Sequence, residues 1–144
     1  MGKESAVYGE TKRSFTRAFA RQKKVLLVDE DPQFQDYFQD IYNQIDYNVD
    51  VCNDGYEALR CAKVTNPDVI VMDVNLKSID GYKLCRKFKE DSYTKSIPLI
   101  ILTANTRTND KIKGLECGAD DYILKPFSIR ELEARMRAVM RSYY

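Results

Sequence analysis

Five residues able to do chemistry stand where short, mostly apolar strand-like runs end. Asp29 and Glu30 follow Val25-Leu26-Leu27-Val28, Asp73 follows Val69-Ile70-Val71-Met72, Thr103 follows the run 98–102, and Lys125 follows 121–124. Singly, each has a plain structural use: aspartate caps a helix or turns the chain, Lys125-Pro126 ends a strand, and threonine at such a point is commonplace. Together they say more. Three carboxylates held close repel one another and raise each other's pKa unless a cation joins them. Hard oxygen ligands, few in number and open to water, suit Mg²⁺. Lys125 adds a positive point charge and Thr103 a hydroxyl. A carboxylate nucleophile with metal, ammonium and hydroxyl around it is equipped for phosphoryl transfer, where positioning and charge neutralisation do most of the catalysis.

The rest of the composition narrows the chemistry. The 144 residues contain no histidine, which removes Ser–His and Cys–His nucleophiles and His-ligated zinc. Cys52, Cys61, Cys85 and Cys117 are scattered without a CxxC pair, as expected of reduced thiols in a cytoplasmic protein. The length fits one domain with a single core, and a 44% apolar and 31% charged composition is that of a globular protein. No run reaches the ~18 apolar residues of a membrane span. The net charge of +1 is unevenly placed. Residues 1–24 hold seven basic and two acidic side chains, leaving 16 and 20 for the remainder. A mildly acidic domain therefore carries a basic arm.

Positioning those five residues requires particular elements. The apolar runs at 25–28, 69–72 and 98–102, with shorter strands near 48–52 and 121–124, alternate with amphipathic stretches. Phe34, Tyr37, Phe38, Ile41, Tyr42 and Ile45 repeat at helical spacing after an Asp31 N-cap and Pro32. Further helices are predicted over 55–64, 81–91, 109–116 and 128–141. The last opens on a Ser128/Glu131 capping box and has Ile129, Leu132, Met136, Val139 and Met140 as its apolar face. Strands apolar on both sides, each followed by a helix, predict an α/β fold: a doubly wound, five-stranded parallel sheet. Five such units commonly take the flavodoxin-like order 2-1-3-4-5, which puts strands 1 and 3 side by side at the switch point where ligands bind.

The segments VLLVDEDP, DVIVMDVNLKSIDGY, IPLIILTA and GADDYILKPFS resemble the receiver domain of two-component response regulators over about 23–141. The resemblance implies a receiver over 23–144, preceded by a basic extension over 1–22. It implies that Asp73 takes phosphate from a phosphohistidine on a sensor histidine kinase or phosphotransfer protein. Asp29, Glu30, Asp73 and the backbone carbonyl of Asn75 would surround Mg²⁺; Thr103, Ala104 and Lys125 would contact the phosphoryl group; Tyr122 would act with Thr103 as the switch. Two departures stand out. Lys77 sits where the family usually has proline, and Glu30 replaces the commoner aspartate. Asn75 and Asn105 occupy positions that tune the lifetime of the acyl phosphate in relatives.

The C-terminal third looks closest to receivers that precede a winged-helix DNA-binding domain. Lys111, Asp121, Glu131 and Arg135 match the charge pattern through which such receivers form a homodimer when phosphorylated; intrachain pairing on a solvated helix face is the alternative. No winged helix is present, so specific DNA binding by this chain itself is not expected. A piece of a longer regulator and a stand-alone receiver both fit. In the arm, Phe15, Ala18, Phe19 and Gln22 could share one face of a basic helix meeting an acidic partner or membrane surface, or the arm could be frayed. Two rival readings are an aspartyl-phosphate phosphatase, disfavoured by Asn75 where a second acid–base carboxylate is wanted, and a degenerate docking module, disfavoured by the complete residue set.

Overall fold

A computed structural model describes residues 22–143. It contains β1 (Lys23–Val28), α1 (Pro32–Gln44), β2 (Tyr47–Cys52), α2 (Ala58–Thr65), β3 (Val69–Met72), α3 (Gly81–Glu90), β4 (Leu99–Thr103), α4 (Thr108–Glu116), β5 (Asp121–Leu124) and α5 (Ile129–Tyr143). The strands form one parallel sheet in the order β2-β1-β3-β4-β5, as predicted. Alternation along each strand divides the core in two. Leu26, Val28, Ile70, Met72, Leu99 and Ile101 face α2, α3 and α4, where Ala58, Leu84 and Phe88 meet them. Val25, Leu27, Val69, Val71, Ile100 and Leu102 face α1 and α5, where Phe38, Tyr42, Leu132 and Met136 pack. The Tyr42 hydroxyl donates to the Ile129 carbonyl at 3.0 Å and ties the two helices of that layer together.

Local chemistry sets the boundaries. Asp31 caps α1 by accepting from the Gln33 amide at 3.1 Å, with Pro32 in the first turn. The helix predicted over 55–64 opens instead as a 3₁₀ turn, Gly55–Glu57, because the Asp54 side chain holds the Tyr56 amide at 3.0 Å. Strand β4 starts at Leu99 because Pro98 has no N–H; its carbonyl still accepts from Ile70 at 2.9 Å. Only half of the capping box forms. Ser128 Oγ accepts from the Glu131 amide at 3.2 Å, but the Glu131 carboxylate is taken by Arg135 one turn on. Gly81 opens α3 against the backbone of Val74, where a Cβ would lie 2.2 Å from the Val74 Cα. Only glycine permits that approach, and it draws α3 up against the loop that follows Asp73.

All four cysteines are free thiols. Cys61 lies with its sulfur 3.0 Å from that of Cys52, which in turn donates to the Asp54 carbonyl. Burial pushes Cys52 and Cys85 up to about 12, so both stay protonated. Among the described residues no helix is long and apolar enough to cross a membrane. Of the four residues read as one face of a helix in the arm, Phe15, Ala18 and Phe19 lie outside the described residues; Gln22 is within them and donates to Asp46 at 3.4 Å.

Candidate functional site

The sheet carries each candidate residue to the same rim. Just past the strand ends, Asp29 donates its amide to the Cys52 carbonyl (3.2 Å), Asp73 to Val28 (3.0 Å) and Lys125 to Thr103 (2.8 Å). These bonds extend the ladders by one residue and fix the side chains that follow. Lys125 reaches across β4 from β5, and its Nζ lies 3.0 Å from Asp29 Oδ2 and 2.9 Å from Asp73 Oδ2. The ammonium also sits 3.8 Å from the centroid of the Phe34 ring, a cation–π contact from α1. Phe127 packs edge-on against both Phe34 and Tyr37, so one side of the ammonium is walled by aromatic rings.

Burial and charge compete here. Asp29 is 3% exposed, and its desolvation pushes the carboxyl above the ordinary aspartate range. The Asp31 amide and Lys125 oppose that shift, and burial outweighs them. Burial alone would lower Lys125, but Asp73 and Asp29 hold it above the usual lysine value. The ammonium is thus fixed as the counter-charge of two carboxylates.

Thr103 is fully buried at the end of β4. Its hydroxyl oxygen accepts from Asn75 Nδ2 at 3.2 Å and from the Asn105 amide at 3.4 Å. The side-chain amides of Asn75 and Asn105 bond reciprocally at 2.9 and 3.1 Å. The Asn75 amide also donates to Asp73 Oδ1 at 2.8 Å, so the two asparagines and Thr103 form one network beside Asp73. Tyr122 joins it through a 2.9 Å bond from its hydroxyl to the Asn105 carbonyl. Its ring fills the space above Gly114, where a Cβ would come within 2.7 Å of Tyr122 Cδ2.

Glu30 stands apart from this cluster. Its carboxylate accepts from the Lys77 amide, from the Ser78 amide (3.3 Å) and hydroxyl, and from the Gly55 amide (3.3 Å). Burial would raise it, yet those bonds, Ser78 first, hold it below the usual glutamate range. On the β5 side of the sheet, Arg135 pairs within the chain, with Asp121 at 3.0 Å and Glu131 at 3.1 Å, while Lys111 is exposed on α4. Sequence reading did not single out Phe34 beneath Lys125 or the Ser78 donor to Glu30.

The donor set suits a hard divalent cation in part. Asp29 and Asp73 converge on one ammonium, so their oxygens already share a point that needs positive charge. Glu30 does not contribute in this arrangement. Among the described residues no group of three or more acidic or thiol side chains is gathered as a ready-made metal cage, which agrees with the diversion of Glu30.

Comparison with known proteins identifies the family and the fold. Residues 25–137 match the family model of the response regulator receiver domain. A probable transcriptional regulator, ycf27, from Guillardia theta is 42% identical over 120 residues, covering 83% of this chain and 46% of that protein. The chain therefore spans about half the length of such relatives. A response regulator structure from Chloroflexus aurantiacus superposes with a TM-score of 0.79 at 34% identity, covering 84% of this chain and 99% of that one. The receiver domain of a Pseudomonas aeruginosa sensor histidine kinase, solved with magnesium coordinated in its active-site cleft, gives 0.77 at 31%, covering 83% and 98%. With its sheet order, its rim of Asp29, Asp73, Thr103 and Lys125, and a family match over most of its length, this chain belongs to the response regulator receiver domains.

Proposed function

We propose that Asp73 stores a signal as an aspartyl phosphate, received from the phosphohistidine of a sensor histidine kinase or phosphotransfer protein in the cytoplasm. The observation that carries this reading is the Lys125 ammonium bridging Asp29 and Asp73. In the transfer, an Asp73 carboxylate oxygen attacks phosphorus and the P–N bond to imidazole breaks. The leaving imidazole keeps the electron pair and takes a proton. Lys125 follows the charge from the carboxylate to a phosphoryl oxygen. The Thr103 hydroxyl, whose oxygen accepts from the two asparagines, turns to donate its proton to another phosphoryl oxygen, with the Ala104 amide beside it. Mg²⁺ would neutralise the remaining oxygens, held by Asp29, Asp73 and the Asn75 carbonyl. Glu30 joins them only by giving up its bonds to the β3–α3 loop. The domain catalyses its own phosphorylation and hydrolysis and turns over no further substrate. Asn75 supports that reading over an aspartyl-phosphate phosphatase, because its amide offers no acid–base proton two residues after Asp73.

Incubation with Mg²⁺ and a small phosphodonor is expected to place one acid-stable, base-labile phosphate on the wild-type chain and none on Asp73→Asn. Equal labelling of the two would sink the assignment.

Movement of Thr103 toward phosphate withdraws a partner from the asparagine network to which Tyr122 is tied. Tyr122 is the route by which that change reaches α4, β5 and α5. We propose that the same face, with Lys111, Asp121, Glu131 and Arg135, pairs with a second phosphorylated copy and so governs an output domain or partner. Pairing requires Arg135 to exchange intrachain bonds for interchain ones, a near-neutral trade at an exposed site. Sedimentation with beryllofluoride and Mg²⁺ is expected to show a dimer that Arg135→Ala weakens; a monomer both with and without beryllofluoride rules the pairing out.

A further inference from the structure

A carboxylate offers about four lone-pair sites, and Glu30 fills four. One oxygen takes the amides of Lys77 and Ser78, and the other takes the Ser78 hydroxyl and the Gly55 amide. The donors come from two places, the loop between β3 and α3 and the 3₁₀ turn before α2. Ser78 Oγ closes the arrangement by accepting from the Gly55 amide at 3.0 Å. The loop packs directly on Gly55, where a Cβ would meet Ser78 Oγ at 2.8 Å and Leu76 Cδ1 at 3.1 Å. Residues Leu76 and Ile79 press against the α2–α4 side of the core. Glu30 thus fastens a loop whose other end carries Asp73.

The two departures from the family pattern meet in this contact. Proline at position 77 would have no N–H to give. An aspartate at position 30 is one methylene shorter and sits nearer its own backbone. With Lys77 and Glu30 present, the carboxylate has a strong alternative to metal coordination.

We infer that Glu30 is a latch on the β3–α3 loop that opens when a divalent cation held by Asp29 and Asp73 recruits Glu30 as a further ligand, so that full coordination of the cation and release of the loop are one coupled event. The inference rests on the cation site proposed above. Glu30 cannot ligate a cation held by Asp29 and Asp73 while all four of its lone-pair sites are occupied. Each loop donor therefore lowers cation affinity, and by reciprocity the cation lowers the hold on the loop. Lys77 and Ser78 become determinants of metal affinity without touching the metal. The same coupling makes the surface of residues 76–80 and the start of α2 sensitive to whether the cation is bound.

Calorimetric titration with Mg²⁺ separates these ideas. Ser78→Ala removes a hydroxyl donor and is expected to bind Mg²⁺ about three- to tenfold more tightly than wild type. Lys77→Pro is expected to tighten binding beyond Lys77→Gln, which loses the charge but keeps the N–H. Asp73→Asn is expected to weaken binding. Hydrogen exchange gives a second measure: the Lys77 amide, which Glu30 accepts, should exchange faster when Mg²⁺ is added, and faster in Glu30→Ala without any metal. If wild type binds Mg²⁺ but Ser78→Ala binds no more tightly, and Lys77→Pro does not exceed Lys77→Gln, the latch is overturned and the cation site stands. Unchanged exchange in Glu30→Ala also overturns the latch. Absence of Mg²⁺ binding by wild type and every variant overturns the cation site and the latch with it.

Discussion

Lys125→Ala is expected to slow phosphorylation by a small donor about 100-fold or more, while Mg²⁺ binds at least as tightly as in wild type. The two effects have one origin. The ammonium lies within 3.0 Å of both Asp29 and Asp73 and so competes with any cation for the same oxygens. Removing it leaves two carboxylates without their counter-charge, which favours a divalent ion. The transition state loses the positive charge that accompanies the phosphoryl group as it moves. A loss of 100-fold is about 2.7 kcal/mol, the size found when one preorganised donor is deleted from such a site. The Phe34 ring, 3.8 Å from Nζ, helps preorganise it by replacing water on one side of the ammonium. Phosphorylation rates at saturating Mg²⁺, set beside the metal's dissociation constant, check both halves. An unchanged rate at saturating Mg²⁺ would remove Lys125 from the phosphoryl-transfer step, and weaker Mg²⁺ binding by the variant would overturn the competition between ammonium and cation.

The residues that strand ends deliver were legible from the sequence because burial on both faces leaves an unbroken apolar signal. Val25–Val28 and Val69–Met72 mark where strands stop, and the parallel order then brings Asp29 beside Asp73. Lys125 was legible from a weaker signal: β5 begins on Asp121 and buries only Ile123, and Lys125-Pro126 marks where it ends. Glu30 read as a third carboxylate beside Asp29 and Asp73, and the partners that turn it toward the β3–α3 loop were invisible. They are mostly backbone amides 25, 47 and 48 residues away, and every residue but proline carries one. Phe34 read as part of the apolar face of α1, and it does pack against that core layer. Its second role depends on the rotation of α1 relative to β5, which periodicity within the helix does not encode. The capping box half-failed because Glu131 had a competing partner at i+4, Arg135, that the sequence offers equally well. In the same way Arg135 and Asp121 satisfy within one chain the pairing that charge pattern alone would also allow between two.

Asp29→Asn is expected to raise the stability of the fold and to lower phosphorylation by about 100-fold or more, since it removes a carboxylate the cation needs. The stability half follows from the raised pKa of Asp29, caused first by burial. A carboxyl whose folded pKa lies above its unfolded value is destabilising when ionised. That penalty is full above the folded pKa, shrinks as pH falls through it, and is gone below the unfolded value. Asparagine never carries the charge. It keeps an oxygen for the Asp31 amide, while Lys125 retains Asp73 as its partner. The gain is expected to be about 0.5–2 kcal/mol, typical of relieving a site shaped for function. Denaturant titrations at neutral and acid pH test the sign: the advantage of Asp29→Asn should be largest near neutrality and shrink on acidification. A variant less stable than wild type at neutral pH would show that the pairing of Asp29 with Lys125 outweighs its burial. The site would then contribute to the fold it sits on, and its buried charge would not be a cost accepted for phosphoryl transfer.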